Sequence, residues 1–423
     1  MLKNKIKISF MLVLVTMFVT QLSAQNQLSS PYSRFGMGEM AKRMSSTNIA
    51  MGDVAYAYQS PLAVNVANPA SYIAFDSLSC LIDAAFSFKY HILQETANKQ
   101  NGSTISFNYL SLGFSVLRNW KTVLGFQPYS FINYTINQYT PFNDTSDIHY
   151  AYNGTGGVYE FYWGNAFRLF KNFSIGLNMS YLFGNYNKLQ IVEFPDDNFL
   201  NFKRDNELQI NGALFSFGTQ YFIPIKKSFI GLGLVYTPSI PTVYGNKTTY
   251  LLSYQNTALE EVIVDSLYWE GTNKVKITLP QTAGGGISWS NEKYFLGFDF
   301  TWSDWSRYSI GEANDSLEDS YKFAVGGSIT PNPSGSKYVS KITFSAGYYY
   351  ELTSLYLKEK QIDKFGINFG VSFPMKKSKT RFNVHFEYGQ WGTLKNNLLQ
   401  ERYFLASFNL KLHEKWYQRR ILD

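Results

Sequence analysis

The chain has 423 residues, 18% of them aromatic, with 32 Tyr, 35 Phe and 31 Gly, yet its mean hydropathy is -0.19. Strand formers at that density without sustained apolar runs exclude a helical membrane protein, whose spans need roughly 20 consecutive apolar residues, and fit strands that alternate apolar and polar side chains. The net charge of +7 is spread over turns with no basic stripe interleaved with aromatics, which excludes a nucleic-acid surface, and the lone Cys80 cannot form an internal disulfide.

Lys3, Lys5 and Lys7 precede an apolar stretch from Ile8 to about Val19, followed by small polar residues around Ser23 and Ala24. That is the pattern of a secretory signal peptide, residues 1–24, cleaved after Ala24. Residues 25–77 hold few alternating segments, many small residues and Pro31, Pro61 and Pro69. They read as a folded, mostly non-strand unit. From Leu78 the pattern changes to long alternation. In Arg381 to Tyr388, Phe382, Val384, Phe386 and Tyr388 fall on one face, with Asn383, His385 and Glu387 on the other. Phe365 to Phe373 repeats the design and sets Asn368 opposite its apolar residues; parity likewise sets Asn178 and Asp299 on an inner face. The phase slips between Tyr109 and Leu110.

Continued along the chain, this reading gives about 14 strands over residues 78–412, an even number as antiparallel closure requires, and a tail, 413–423. The expected fold is all-β: a transmembrane antiparallel β-barrel in the bacterial outer membrane. Every second connection is short (Arg118 to Lys121, Phe170 to Asn172, Pro224 to Ser228, Ser290 to Lys293, Pro374 to Lys379) and rich in Lys and Arg. The others are expected to be loops of about 10 to 35 residues, carrying acidic residues such as Asp144, Asp147, Glu260, Glu261 and Asp265, with Val243 to Lys274 the longest. The basic rim then faces the periplasm.

Two segments carry more than composition. Met51 to Asp76 contains Asn68, Pro69 and Ala70; a later stretch runs Leu279-Pro280, Gly284 to Gly286, then Gly297 to Tyr308 with Trp302, Asp304, Trp305 and Ser306. Together these resemble the FadL family of outer-membrane long-chain fatty acid and hydrocarbon transporters. The resemblance implies that residues 25–77 are a hatch plugging the barrel, seated through Asn68, Pro69 and Ala70, and that Trp302, Asp304, Trp305 and Ser306 form a family-signature rim. The residues alone allow plainer readings. Trp302 and Trp305 would fit an aromatic girdle, with Asp304 and Ser306 bonding free backbone groups, and Asn68-Pro69 would fit a rigid turn. Pro128 removes a ladder donor from its strand. Since the family has a lateral opening in its third strand, Gly125, Pro128 and Tyr129 are the candidates for one here, with a closed bulge as the alternative.

Catalysis finds no motif: His91, His149, His385 and His413 sit in no zinc or triad pattern, and no phosphate loop is present. No cofactor and no metal site is expected. The expected partners are outer-membrane lipid and a hydrophobic small-molecule ligand, or, if the barrel serves as a secretion or surface-assembly subunit, a secretion-system protein.

Overall fold

Residues 381–392 alternate bulky apolar with polar side chains, and that period of two fixes which face of an extended chain meets lipid. In the computed structural model, which describes residues 30–415 apart from 97, 197, 241, 257–260, 312, 315, 316 and 377, Phe382, Phe386 and Tyr388 are exposed on the outer wall while Asn383, His385 and Glu387 are buried inside. The signal-peptide reading and most of the tail lie outside the described residues.

In chain order the strands are β1 (Glu39–Met40), β2 (Ser79–Gln94), β3 (Lys99–Leu117), β4 (Trp120–Asn143), β5 (Ser146–Phe170), β6 (Phe173–Glu193), β7 (Asn201–Ile225), β8 (Ser228–Thr237), β9 (Val243–Asn256), β10 (Glu261–Thr278), β11 (Gln281–Ser290), β12 (Tyr294–Asp304), β13 (Ser309–Ile310), β14 (Ala313–Asn314), β15 (Ser320–Ile329), β16 (Thr343–Leu357), β17 (Lys360–Pro374), β18 (Arg381–Gly392) and β19 (Gln400–Lys415). Before the barrel come one short helix, α1 (Ser46–Ala50), and 3-10 turns at Pro31–Arg34 and Pro69–Ala74.

β7 pairs with β9 along its first half and with β8 along its second. β10 and β11 pair in the same order with β9 and β8. Each of these pairs is therefore one wall strand, interrupted at 238–242 and at Leu279-Pro280, where proline cannot donate to a ladder. Counted so, the wall is a closed antiparallel barrel of 14 strands. β19 closes it on β2, from Gln400↔Gln94 to Lys415↔Ser79.

Three expectations are corrected. The loops of one rim are not long: outside β13 and β14 they are stretches such as 95–98, 144–145, 194–200, 358–359 and 393–399, because the residues assigned to them extend the strands instead. β4 and β5 run 24 and 25 residues, against the roughly 9–11 that cross a bilayer, so the wall continues beyond the membrane on that side. Val243 to Lys274 is accordingly the β9–β10 hairpin, and the longest connection on the basic rim is the unexpected 330–342. The last strand continues to Lys415, past the expected end at Leu412. The phase slip is a bulge at Asn108, between the pairs Ala85↔Tyr109 and Phe86↔Phe107.

The outer wall carries an apolar belt bounded by aromatic rings. Phe229, Trp289 and Tyr294 lie near the basic rim; Tyr236, Trp302 and Tyr321 lie at the opposite boundary. Such belts mark the bilayer faces, and no helix of the described residues is long and apolar enough to cross a membrane.

Candidate functional site

An antiparallel barrel whose inward positions are polar must fill or hydrate its interior. Here residues 30–77 fill it. Room comes from inward glycines, because only a residue without Cβ lets another backbone lie against the wall. A Cβ on Gly326 would sit 2.0 Å from the Met51 carbonyl oxygen, one on Gly218 2.1 Å from Asn68 Oδ1, and one on Gly176 2.3 Å from the Ala70 nitrogen.

Charge then holds the segment to several walls. The Arg43 guanidinium forks onto Glu160 (Nε to Oε2 2.8 Å, Nη2 to Oε1 2.9 Å), and Glu160 also accepts from Ser180 (2.5 Å) and Gln127 (2.9 Å). Burial works against the Arg43 charge, but Glu160 beside it holds the guanidinium's pKa above its ordinary value. Lys42 donates to Glu387 (2.9 and 3.0 Å) and Asp53 (3.2 Å), over the Tyr349 ring at 4.1 Å. Asp53 accepts from Lys322 at 2.5 Å, while Glu387 accepts from Tyr349 (2.9 Å) and Tyr403 (2.8 Å). Bidentate, multiply bonded pairs of this kind offset the cost of taking charge out of water.

The inward residues expected from strand parity each meet this segment or another inward side chain. Asn178 bonds the Val66 carbonyl and the Tyr72 hydroxyl (3.1 and 3.0 Å). Asp299 accepts from the Ala55 and Tyr56 amides (2.6 and 2.8 Å), and burial pushes the Tyr56 phenol up to about 12. His385 Nδ1 lies 3.0 Å from Ser46 Oγ. Asn383 donates to Asn409 (2.5 Å), and Asn368, its amide turned to donate, reaches Glu387 (2.9 Å) and the Ile49 carbonyl (3.2 Å).

Asn68 caps the turn Pro69–Ala74 through the Ala70 amide (3.1 Å) and donates to the carbonyls of Tyr56 (2.7 Å) and Thr219 (3.1 Å). It is thus both a local turn and an anchor to β7. Trp302 and Trp305 part company. Trp302 is in the outer girdle, its indole donating to Asp319 (3.0 Å), whereas Trp305 packs inward beside Tyr308 at 5.8 Å. Asp304 accepts from Gln281 (2.9 Å) and Ser306 (2.7 Å) and pairs with Arg307 (3.0 Å).

The wall is incomplete at one seam. β3 pairs with β4 only from Leu110↔Phe126 down to Leu117↔Trp120. Above it, among the described residues, 99–109 continue in ladder register with β2, and β4 pairs with β5 on one side. On its other side β4 meets the N-terminal segment, through Glu39↔Phe131 and Met40↔Ser130 of β1, the Ala41 amide on the Tyr129 carbonyl (3.0 Å), and Ser33 Oγ, which bonds the Asn133 carbonyl (3.4 Å) and amide (3.3 Å). Pro128 sits where the ladder stops, and Tyr129 is bulged between Pro128↔Tyr159 and Ser130↔Val158. Gly125 lies below the break, paired with Ser111, and meets the Tyr162 ring.

Between this segment and the extended rim lies a cavity of about 220 Å³, lined by Phe35, Met37, Met40, Trp305, Leu355 and Trp391 on its apolar side and by Lys322 and Lys364 among its charges. A second, polar cavity of about 190 Å³ lies towards the basic rim, beside Ser46, Tyr58 and His385. The described residues hold no cluster of three potential metal ligands.

The family model described as BamG matches residues 1–423. No curated protein matches the sequence. Among solved structures, a Pseudomonas aeruginosa FadL homologue superposes with a TM-score of 0.60 at 12% identity, covering 90% of this chain and all (100%) of that one. The P. putida toluene transporter TodX gives 0.60 at 13%, covering 89% and 99%, and the Ralstonia pickettii toluene transporter TbuX gives 0.57 at 12%, covering 87% and 97%. At these identities the likeness is one of fold. The barrel is FadL-like, while the matching family is a distinct one.

Proposed function

This chain belongs to the BamG family, and from that premise we propose that it is an outer-membrane channel for hydrophobic small molecules, long-chain fatty acids among them, with residues 25–77 as the hatch. The observation that carries this reading is the unzipped β3–β4 seam beside Pro128. A greasy ligand crossing a polar surface layer must be shielded from water and then released into hydrocarbon, which an opening in the wall provides and a water-filled pore does not. The cavity under Trp305 would receive the ligand, its apolar side taking the chain and Lys364, whose pair with Glu39 is long at 3.7 Å, facing an anionic end. From there the way out runs past Met40 and Tyr129 to Phe107 and Phe126, whose rings stack at 5.8 Å at the top of the paired region. The structural neighbours named as toluene transporters support the ligand class. No catalytic step belongs to this reading.

A photoactivatable long-chain fatty acid added to the protein in outer-membrane vesicles tests the route. Labelling of both the Trp305–Leu355 cavity and the Phe107–Phe126 seam is the expected outcome. Labelling of the outer belt alone would refute it.

One observation favours a second reading, in which the barrel holds a protein partner. The hatch is tied to β5, β15 and β18 at once by Glu160, Lys322 and Glu387, and the β9–β10 hairpin rises beyond the membrane with Tyr244 and Tyr250 exposed. A stoichiometric protein, and no lipid-like ligand, on mild purification would establish that role instead.

A further inference from the structure

The outer wall is not smooth. Where β8 and β11 run side by side below the interrupted strands, outward Ala283 and Gly285 form the floor of a crevice of about 650 Å³. Phe217, Leu234 and Tyr236 wall one side, Phe300, Trp302 and Tyr321 the other. The floor is open because of Gly285: a Cβ there would meet only Leu234, at 3.4 Å, and otherwise backbone at the limit of contact. The walls are fixed, Trp302 by its bond to Asp319 and Tyr236 by its hydroxyl on Gln281 (3.2 Å).

We propose that this crevice is a binding site for one acyl chain of an outer-leaflet lipid with a phosphorylated headgroup. Depth and charge identify the occupant. At ~3.3 Å per residue along a strand tilted by ~40°, Ala283 lies roughly 18 Å above Ser290, in the far half of an apolar band ~25 Å tall. The long strand extensions project from that same rim, the one that faces outward in outer-membrane barrels. The crevice ends there in a polar strip, Tyr236 to Gln281 to Asp304 to Arg307. Arg307 is 66% exposed despite its pair with Asp304, and Lys276, on the outward side of β10 next to buried Ile277, is exposed as well. Apolar walls under an exposed cation at the strip, with a second farther up the wall, match an anionic lipid better than a neutral hydrocarbon.

The test uses the full-length protein in phosphatidylethanolamine vesicles doped with a photoactivatable-acyl phosphatidylglycerol. Labelling should concentrate on Leu234, Phe300 and Trp302 over outward residues elsewhere on the belt, such as Phe386 and Phe404. It should be lost in Gly285→Leu and in Ala283→Phe, each still migrating as a folded, heat-modifiable barrel. Arg307→Ala combined with Lys276→Ala should keep the labelling but abolish its preference over a phosphatidylcholine probe. Uniform labelling around the belt, or labelling that survives both filling variants, overturns the proposal. So does a photo-crosslinker at position 234 that captures a protein in native membranes instead of lipid.

Discussion

Removing the Arg43 side chain isolates what binds the N-terminal segment to β5. In Arg43→Ala, Glu160 keeps only Gln127 (2.9 Å) and Ser180 (2.5 Å) as donors, and its carboxylate is 1% exposed. A buried charge stripped of its partner costs about 3–5 kcal/mol. The barrel wall is held by its own ladders, so the loss falls on the local seating of residues 38–45. Since about 1.4 kcal/mol is a factor of ten, amide exchange in that stretch should accelerate by two to nearly four orders of magnitude. Hydrogen exchange read by mass spectrometry, on the folded barrel in detergent, measures it. Glu160→Gln should behave similarly, leaving the guanidinium unpaired. Arg43→Leu with Glu160→Leu should recover much of the protection, because it removes both charges. Exchange in Arg43→Ala within tenfold of the parent would refute the assignment of the seating energy to this pair.

The inward glycines give a sharper contrast. Gly218→Ala or Gly326→Ala places a methyl within 2.1 Å or 2.0 Å of atoms of the N-terminal segment, and either should displace that segment, seen as new protease sensitivity in residues 46–70. The outward Gly285→Ala should be silent in the same assay. Asn68→Ala loses a cap and two carbonyl bonds, which should cost about 1–3 kcal/mol and show as faster exchange in 69–74 with the barrel intact. Asp304→Ala releases Gln281, Ser306 and Arg307 together and should raise exchange across 305–310 without altering heat-modifiable migration.

What the sequence made legible follows from where a period exists. Asn383, His385 and Glu387 share an inner face because β18 is paired without a bulge to β17 and β19, so parity counted from Phe382 stays valid to the end. The same counting in β3 meets the bulge at Asn108 and reverses there. Loop lengths are not legible because polar residues such as Asp147 and Asp265 look like loop but belong to strands standing clear of the bilayer, where a barrel wall has no lipid face to advertise. Arg43, Lys42 and Asp53 were invisible for a different reason. They lie in a stretch without period, and their partners Glu160, Lys322 and Glu387 come from distant strands. A charge inside an otherwise alternating strand, as at Glu160 between Val158 and Tyr162, is the one local sign that an interior partner exists.

These ties constrain any route through the barrel. Lifting the N-terminal segment as a body breaks Arg43–Glu160, Lys42–Glu387 and Asp53–Lys322 together, and each broken buried pair costs about 3–5 kcal/mol. The glycine contacts add to this, because backbone wedged against backbone cannot slide past the first inward side chain. A path above the segment breaks none of them. It runs from the cavity under Trp305, over Met40, to the edge of β4 that the two-residue β1 covers. Displacing β1 breaks two ladder pairs, the Ala41–Tyr129 bond and the longer Glu39 pairs with Lys89 (3.5 Å) and Lys364 (3.7 Å), partly exposed groups that cost less than the three buried ion pairs. On the proposed reading, the moving part is therefore β1 and the turn around Gly38, whose φ of +85° and contact with the Phe131 carbonyl admit no side chain, while the rest of the hatch stays in place as floor.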